Sequence, residues 1–374
     1  MLFVEWACLL VVISYICLMA CIFYGSRSQK NYVKEATVKP MTVLVPSKDE
    51  EKNIGRCLQA LTEQHFPEEK LEIIVLNDNS TDKTGEIAKQ YSKTYPFIKV
   101  VDIPTESRNH LIGKSNAIDI GVSIAQNDII LICDADCEPN PKWLTTICSA
   151  FTKNVGVVSG FTLLDEQRIS SKLFGIVQNL DWLMLQGVAS GSVGLQKPIS
   201  CIGSNFAFTK NAYNDVGGYS SLPFSITEDL LLYQTISKQT NYAYVYPMES
   251  GSINFSEPME TFNALYQQRK RWAFGSLGMG GFGAISGLIN VLAHLLALVY
   301  AFLFFNPVPL ISIVFVDCLY LHYLLNALKQ KQKWYYSIFY ISYYYMNVLI
   351  FPLLFLFDRK IVWKNRIYTK EGVV

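Results

Sequence analysis

Residues 6–24 contain no charged side chain. A helix of about 20 apolar residues crosses a hydrocarbon core, where every backbone N–H and C=O must be satisfied within the segment. Few structures meet that condition, so residues 1–26 are expected to form an N-terminal transmembrane anchor. Arg27, Lys30, Lys34 and Lys39 follow the run, and the positive-inside bias then sets the following chain on the cytoplasmic side of the cell membrane. A cleaved signal peptide is the competing reading. The residues ahead of the run carry Glu5 and no Lys or Arg, which speaks against it.

Further membrane segments are expected over residues 281–358. Residues 283–305 and 308–325 read as a helical hairpin turned at Asn306-Pro307, with Asp317 as its intramembrane charge, and Lys329, Lys331 and Lys333 mark a cytoplasmic loop. Residues 334–357 are again uncharged, yet residues 359–374 form a basic tail with Arg359, Lys360, Lys364, Arg366 and Lys370. A straight crossing would put that tail outside. A re-entrant or interfacial segment, suited to its tyrosines and to Pro352, therefore stands beside a failure of the charge rule.

Composition agrees with this division. Charged residues make up 17% of the 374 positions and apolar ones 51%, an excess of hydrophobes concentrated at the two ends. One globular unit of about 200 to 250 residues plus accessory segments accounts for the length. Cys133 and Cys137 have no second Cys or His pair at zinc spacing, so a structural zinc is not expected and reduced thiols fit better. A net charge of +1 gives no ground for a nucleic-acid partner.

Between the apolar ends the pattern alternates. Residues 41–46, 71–76, 98–103 and 128–133 read as strands, and 53–63, 83–92 and 115–125 as helices. That rhythm predicts one α/β domain over residues 41–272, built on a Rossmann-like, mostly parallel sheet. Such sheets bind ligands at the carboxyl ends of their strands, where Asp78 and Asp134 fall. Residues 171–194, apolar with interspersed glycines, are expected to form a buried or membrane-touching helix followed by a mobile loop.

Asp134-Ala135-Asp136 closes an apolar strand. Two carboxylates that close can hold a hard divalent cation bridging phosphate oxygens, although D-x-D on its own is commonly a solvated turn. Asp78 lies in Asn77-Asp78-Asn79-Ser80-Thr81-Asp82, where Thr81 or Asp82 would cap the next helix while Asp78 could accept the N–H of a uracil ring. Lys114 opens a helix, where a cation opposes the macrodipole unless an anion such as a diphosphate is near; an ordinary exposed lysine is the alternative. Glu228-Asp229 reads either as the favourable first turn of a helix capped by Thr227 or as the source of a general base. Gln268, Arg271 and Trp272 share a helix face at i, i+3 and i+4 and could meet one ligand, in a segment that also suits a membrane-surface helix.

Taken in order, these four clusters resemble a membrane-bound member of glycosyltransferase family 2, the group with cellulose, chitin and hyaluronan synthases and the ceramide glucosyltransferases. The family pattern is an aspartate after the second strand, D-x-D, an E-D pair and Q-x-x-R-W. The resemblance implies a GT-A fold, a nucleotide diphosphate sugar that is usually UDP-linked, and Mn2+ or Mg2+. It implies that Asp78, Lys114, Asp134, Gln268, Arg271 and Trp272 bind the nucleotide sugar, with Gln268, Arg271 and Trp272 together holding the donor diphosphate and the acceptor, and that Asp136 holds the cation. Asp229 would be the catalytic base of an inverting transfer. Glu228 and the segment Gly203-Ser204-Asn205 would line the acceptor side. Asn77 and Asp119 depart from the pattern, which has Asp and Asn there. Transfer of one sugar to a membrane lipid is the leading expectation. A processive polysaccharide synthase and a non-catalytic membrane scaffold are the competing ones.

Overall fold

The structure, a computed structural model, describes residues 2–104, 111–276, 281–351, 353–354, 361–363, 366–369 and 372–373. In chain order its first half contains α1 (Leu2–Lys30), β1 (Met41–Ser47), α2 (Ile54–Thr62), β2 (Leu71–Asn77), α3 (Thr84–Thr94), β3 (Ile98–Asp102), α4 (Lys114–Ile124), β4 (Ile129–Ile132), β5 (Glu138–Pro139), α5 (Trp143–Ala150), β6 (Val155–Ser159), β7 (Phe161–Leu164) and α6 (Lys172–Gly194). There follow β8 (Phe206–Thr209), α7 (Lys210–Asn214), α8 (Glu228–Gln239), β9 (Ala243–Val245), β10 (Ile253–Ser256), α9 (Phe262–Ser276), α10 (Phe282–Phe304), α11 (Val308–Ala327) and α12 (Ser337–Tyr345). The short strands β11 (Ile361–Trp363), β12 (Arg366–Thr369) and β13 (Gly372–Val373) end the list.

The chain divides into two compact units. One comprises Gln29–Asp165 and Ser200–Glu257, the other Met1–Ser28, Glu166–Ile199 and Pro258–Val374. The expected single stretch over 41–272 is thus interrupted: α6 and α9 group with the terminal helices. For α6 the reason is its glycines. A Cβ on Gly187, Gly191 or Gly194 would stand 2.4 Å from Leu324, 2.5 Å from the Ile22 carbonyl and 2.1 Å from the Gly25 carbonyl, so α6 lies against α1 and α11 at a distance only glycine permits.

In the first unit the seven-stranded sheet has the order β3-β2-β1-β4-β8-β6-β9. All its pairings are parallel except those of β8, which runs antiparallel to β4 and β6. Strand periodicity explains why both faces are apolar: Met41, Val43 and Val45 pack with α2 and α5 through Leu58, Leu61 and Trp143, while Leu44, Ile130 and Ile132 pack with α4 and α8 through Ile118, Leu232 and Ile236. A smaller sheet, β5-β10-β7, lies in the same unit.

Among the described residues three helices are long and apolar enough to cross a membrane: Glu5–Lys30, Phe282–Phe304 and Val308–Ala327. Asp317 of α11, expected as an intramembrane charge, has partners on α1 and α10. Its carboxylate accepts the Tyr15 hydroxyl of α1 and lies 3.0 Å from His294 Nε2 of α10, so the charge is turned into the bundle. Beyond α11 the apolar run is a 3-10 turn (Lys331–Tyr336), the short α12 and a π-turn (Met346–Ile350). Pro352, residues 355–358 and the basic residues Arg359, Lys360, Lys364 and Lys370 lie outside the described residues.

Candidate active site

Strand β4 is buried along its whole length. Just beyond it the chain turns, with Cys133, Ala135 and Cys137 buried and Asp134 and Asp136 between them half-buried, which leaves both carboxylates partly open. The Cys133 N–H still bonds the Leu44 carbonyl at 3.0 Å, and the Cys137 N–H closes a turn on the Asp134 carbonyl at 3.0 Å. The sheet thus fixes the backbone that carries the pair.

Gly113, at φ 64°, turns the chain into α4 and makes Lys114 its first residue. The anion that this position calls for comes from the protein: Lys114 Nζ lies 2.6 Å from Asp134 Oδ1 and 3.9 Å from Glu228 Oε1. Burial works against the ammonium charge, but the fields of Asp134, Glu228 and Asp229 outweigh it and hold Lys114 above the ordinary lysine range.

Glu228 and Asp229 are the first two residues of α8, behind a buried Thr227. Asp229 Oδ1 accepts the Leu230 N–H at 2.8 Å, which fixes the carboxylate. Gly203 makes room for its other oxygen: a Cβ there would stand 2.6 Å from Asp229 Oδ2. The neighbours of Gly203 serve the framework. Ser204 is buried against Thr162 Oγ1 at 3.1 Å. Asn205, fully buried, accepts the Trp143 indole N–H at 2.9 Å and donates to the Phe161 and Ser252 carbonyls at 2.9 Å each. Its amide ties β7 and the segment ahead of β10 together.

Asp78 is half-buried just past β2, its N–H bonded to the Ser47 carbonyl at 2.8 Å. Asp82 supplies the cap expected nearby, accepting the Thr84 N–H at 2.9 Å. The two departures from the family pattern have local causes. Asn77 donates to Asp102 at 2.7 Å, where an aspartate would face another carboxylate. Asp119 accepts the Tyr213 hydroxyl at 2.6 Å, and Tyr213 in turn holds the Tyr219 N–H at 2.9 Å.

Asp136 has a neighbour that no local pattern marks: Ser256 Oγ of β10 donates to its Oδ2 at 3.3 Å. Among the described residues no three His, Cys, Asp or Glu side chains are grouped to hold a metal. The donor chemistry still fits a hard cation, since two half-open carboxylates offer the oxygens such ions take and phosphate oxygens can supply the rest. Gln268, Arg271 and Trp272 lie on α9 in the other unit, Gln268 buried and the other two half-buried.

Residues 42–217 match the glycosyl transferase family 2 model. A probable glycosyltransferase of Bacillus subtilis (strain 168), YdaM, is 30% identical over 240 residues, 63% of this chain and 55% of that protein. The poly-beta-1,6-N-acetyl-D-glucosamine synthase of Staphylococcus epidermidis is 26% identical over 338 residues, 88% of this chain and 77% of that one. The beta-monoglucosyldiacylglycerol synthase of a Nostoc species is 25% identical over 252 residues, 66% of this chain and 51% of that one. The chain thus spans about half the length of the first and third of these relatives. Among solved structures, the mannosyltransferase PcManGT from Pyrobaculum calidifontis, in complex with GDP-Man and Mn2+, has a TM-score of 0.54 at 18% identity, covering 93% of this chain and 99% of that one. At that identity the likeness is one of fold. Residues 42–217 thus match glycosyl transferase family 2, and the chain shares its fold with that mannosyltransferase.

Proposed function

We propose that the protein transfers a sugar, with inversion, from a UDP-sugar to a hydroxyl of a membrane lipid, from a catalytic unit on the cytoplasmic side. The observation that carries this reading is the Lys114 ammonium set between Asp134 and Glu228. One cation joins the D-x-D pair to the acidic start of α8 beyond the carboxyl end of β4, where a diphosphate and an acceptor hydroxyl would have to meet.

In this reading Asp78 accepts a uracil N–H and Lys114 passes from Asp134 to the donor diphosphate. Asp136 and the released Asp134 would hold Mn2+ or Mg2+, which supplies charge neutralisation of the departing diphosphate. Asp229, oriented by the Leu230 N–H, takes the proton of the acceptor hydroxyl as its oxygen attacks the anomeric carbon and the bond to the diphosphate breaks. Glu228 and Gly203 would line the acceptor side. Gln268 and Arg271 serve the diphosphate, and Trp272 offers an aromatic wall to the acceptor.

A lipid acceptor is supported by α9, which belongs to the same compact unit as the three apolar helices. The Nostoc relative is named a beta-monoglucosyldiacylglycerol synthase, after a glycolipid product. A processive synthase is the second reading, favoured by the polysaccharide synthase that matches 88% of the chain. To test both, membranes containing the protein are incubated with a panel of labelled UDP-sugars, with and without Mn2+ or Mg2+. Metal-dependent UDP release with label in the organic phase is the expected result. Label in an insoluble polymer would establish the synthase, and release with no UDP-sugar would overturn the donor assignment.

A further inference from the structure

The family pattern marks Gln268, Arg271 and Trp272 and passes over Arg269. Yet Arg269 is the more deeply buried of the two arginines, at 8% exposure. Its Nη2 lies 2.7 Å from Oδ2 of Asp181 on α6, a residue only 4% exposed. The same nitrogen stands 3.5 Å from the Tyr343 hydroxyl of α12. The guanidinium carbon lies 4.5 Å from the centroid of the Trp272 ring. Trp182, next to Asp181, brings its own ring to 4.4 Å from Trp272 at an interplanar angle of 58°.

Burying an ion pair is a poor way to gain stability, since apolar residues of like volume usually serve as well or better. What the pair does supply is geometry. A guanidinium over an indole face is attracted to it, and once a carboxylate fixes the guanidinium the preferred place of the ring is fixed too. Trp182 limits the ring from a second direction, and its buried indole N–H finds no hydrogen-bond partner among the described residues. Trp272 itself is half-buried, so part of it stays open to a ligand.

We infer that Asp181, Arg269 and Trp182 are positioning residues for Trp272: Asp181 locks the Arg269 guanidinium, and the guanidinium and the Trp182 ring hold the Trp272 indole in the one orientation that meets the acceptor. The inference rests on the acceptor role proposed above for Trp272. Because Tyr343 joins the set, the hold on the indole draws on α6, α9 and α12 together.

The test uses the full-length protein in phosphatidylglycerol vesicles containing dioleoylglycerol as acceptor, with the UDP-sugar that gives the fastest UDP release. Arg269→Lys keeps the charge but loses the planar fork, and Asp181→Leu with Arg269→Met removes both charges together, stranding neither if a single variant fails to fold. Each is expected to raise the acceptor KM about tenfold, the scale of a desolvated cation–π contact, with donor KM and kcat within twofold. Each should also flatten the near-UV circular dichroism band assigned to Trp272 by subtraction of a Trp272→Phe spectrum. Retention of that band in both variants would overturn the positioning role. If Trp272→Phe leaves the acceptor KM unchanged while the band is lost in the other variants, it is the acceptor reading of Trp272 that fails.

Discussion

The Lys114 ammonium lies 2.6 Å from Asp134 and 3.9 Å from Glu228, so a single cation couples two acidic clusters that are far apart in the chain. Removing it would leave Asp134, Glu228 and Asp229 facing one another without a countercharge. Lys114→Met is expected to raise the donor KM about tenfold to a hundredfold, the equivalent of a lost charge-assisted hydrogen bond of about 1.5–3 kcal/mol. Steady-state kinetics together with UDP calorimetry check this, and an unchanged donor KM would take Lys114 out of the donor site.

Asp229→Asn keeps an oxygen for the Leu230 N–H but cannot take a proton. A fall in kcat of about 10²- to 10⁴-fold is expected, with UDP affinity preserved. Full turnover in this variant would assign the base elsewhere.

Gly203→Ala places a methyl group 2.6 Å from Asp229 Oδ2 and 3.0 Å from its Cγ. The carboxylate must then shift, and a displacement near 1 Å at a reacting centre costs about a hundredfold in rate. The expected result is a large loss of kcat with only the modest loss of stability of a slightly overpacked site, about 1–3 kcal/mol, read as a lower Tm. A fall in Tm with kcat intact would show that Asp229 stands away from the chemistry.

Chelation with EDTA is expected to stop UDP release, and Mn2+ or Mg2+ to restore it. Asp136→Ala should raise the metal concentration needed for half-restoration by at least about tenfold. Equal metal affinity by calorimetry in this variant and the wild type would exclude Asp136 as a ligand.

Glu72 offers a pH test of the fold. Burial favours its neutral form, but Lys99 at 2.7 Å, Thr42 at 2.6 Å and the Gln126 N–H at 2.8 Å outweigh that and hold the carboxyl below its usual range. A depressed pKa stabilises the folded state fully above the unfolded carboxyl range, near about pH 4.3, and this contribution fades as pH falls through the folded pKa. The wild-type Tm should therefore drop more steeply than that of Glu72→Gln below about pH 5, while at pH 7 the variant is the less stable by about 1.5–3 kcal/mol. Parallel Tm curves would remove Glu72 from the acid response.

Much of this protein is legible in its sequence because the relevant physics is local. An uncharged run over residues 6–24 can be little other than a helix, and the short valine-rich run over residues 41–46 reads as a strand by itself. Asp134 and Asp136 are found for the same reason, as the end of a strand is a place in the chain as well as in space. Tertiary structure decided the partnerships. That Lys114 faces Asp134, that Ser256 reaches Asp136, and that Arg269 locks onto Asp181 depends on pairings across many residues, which no local pattern encodes. It also decided where the Asn205 amide is bonded: it ties framework segments together, because a fully buried polar group must satisfy its bonds within the protein. The division into two units follows likewise from the glycines of α6, whose meaning appears only once a second helix lies against them.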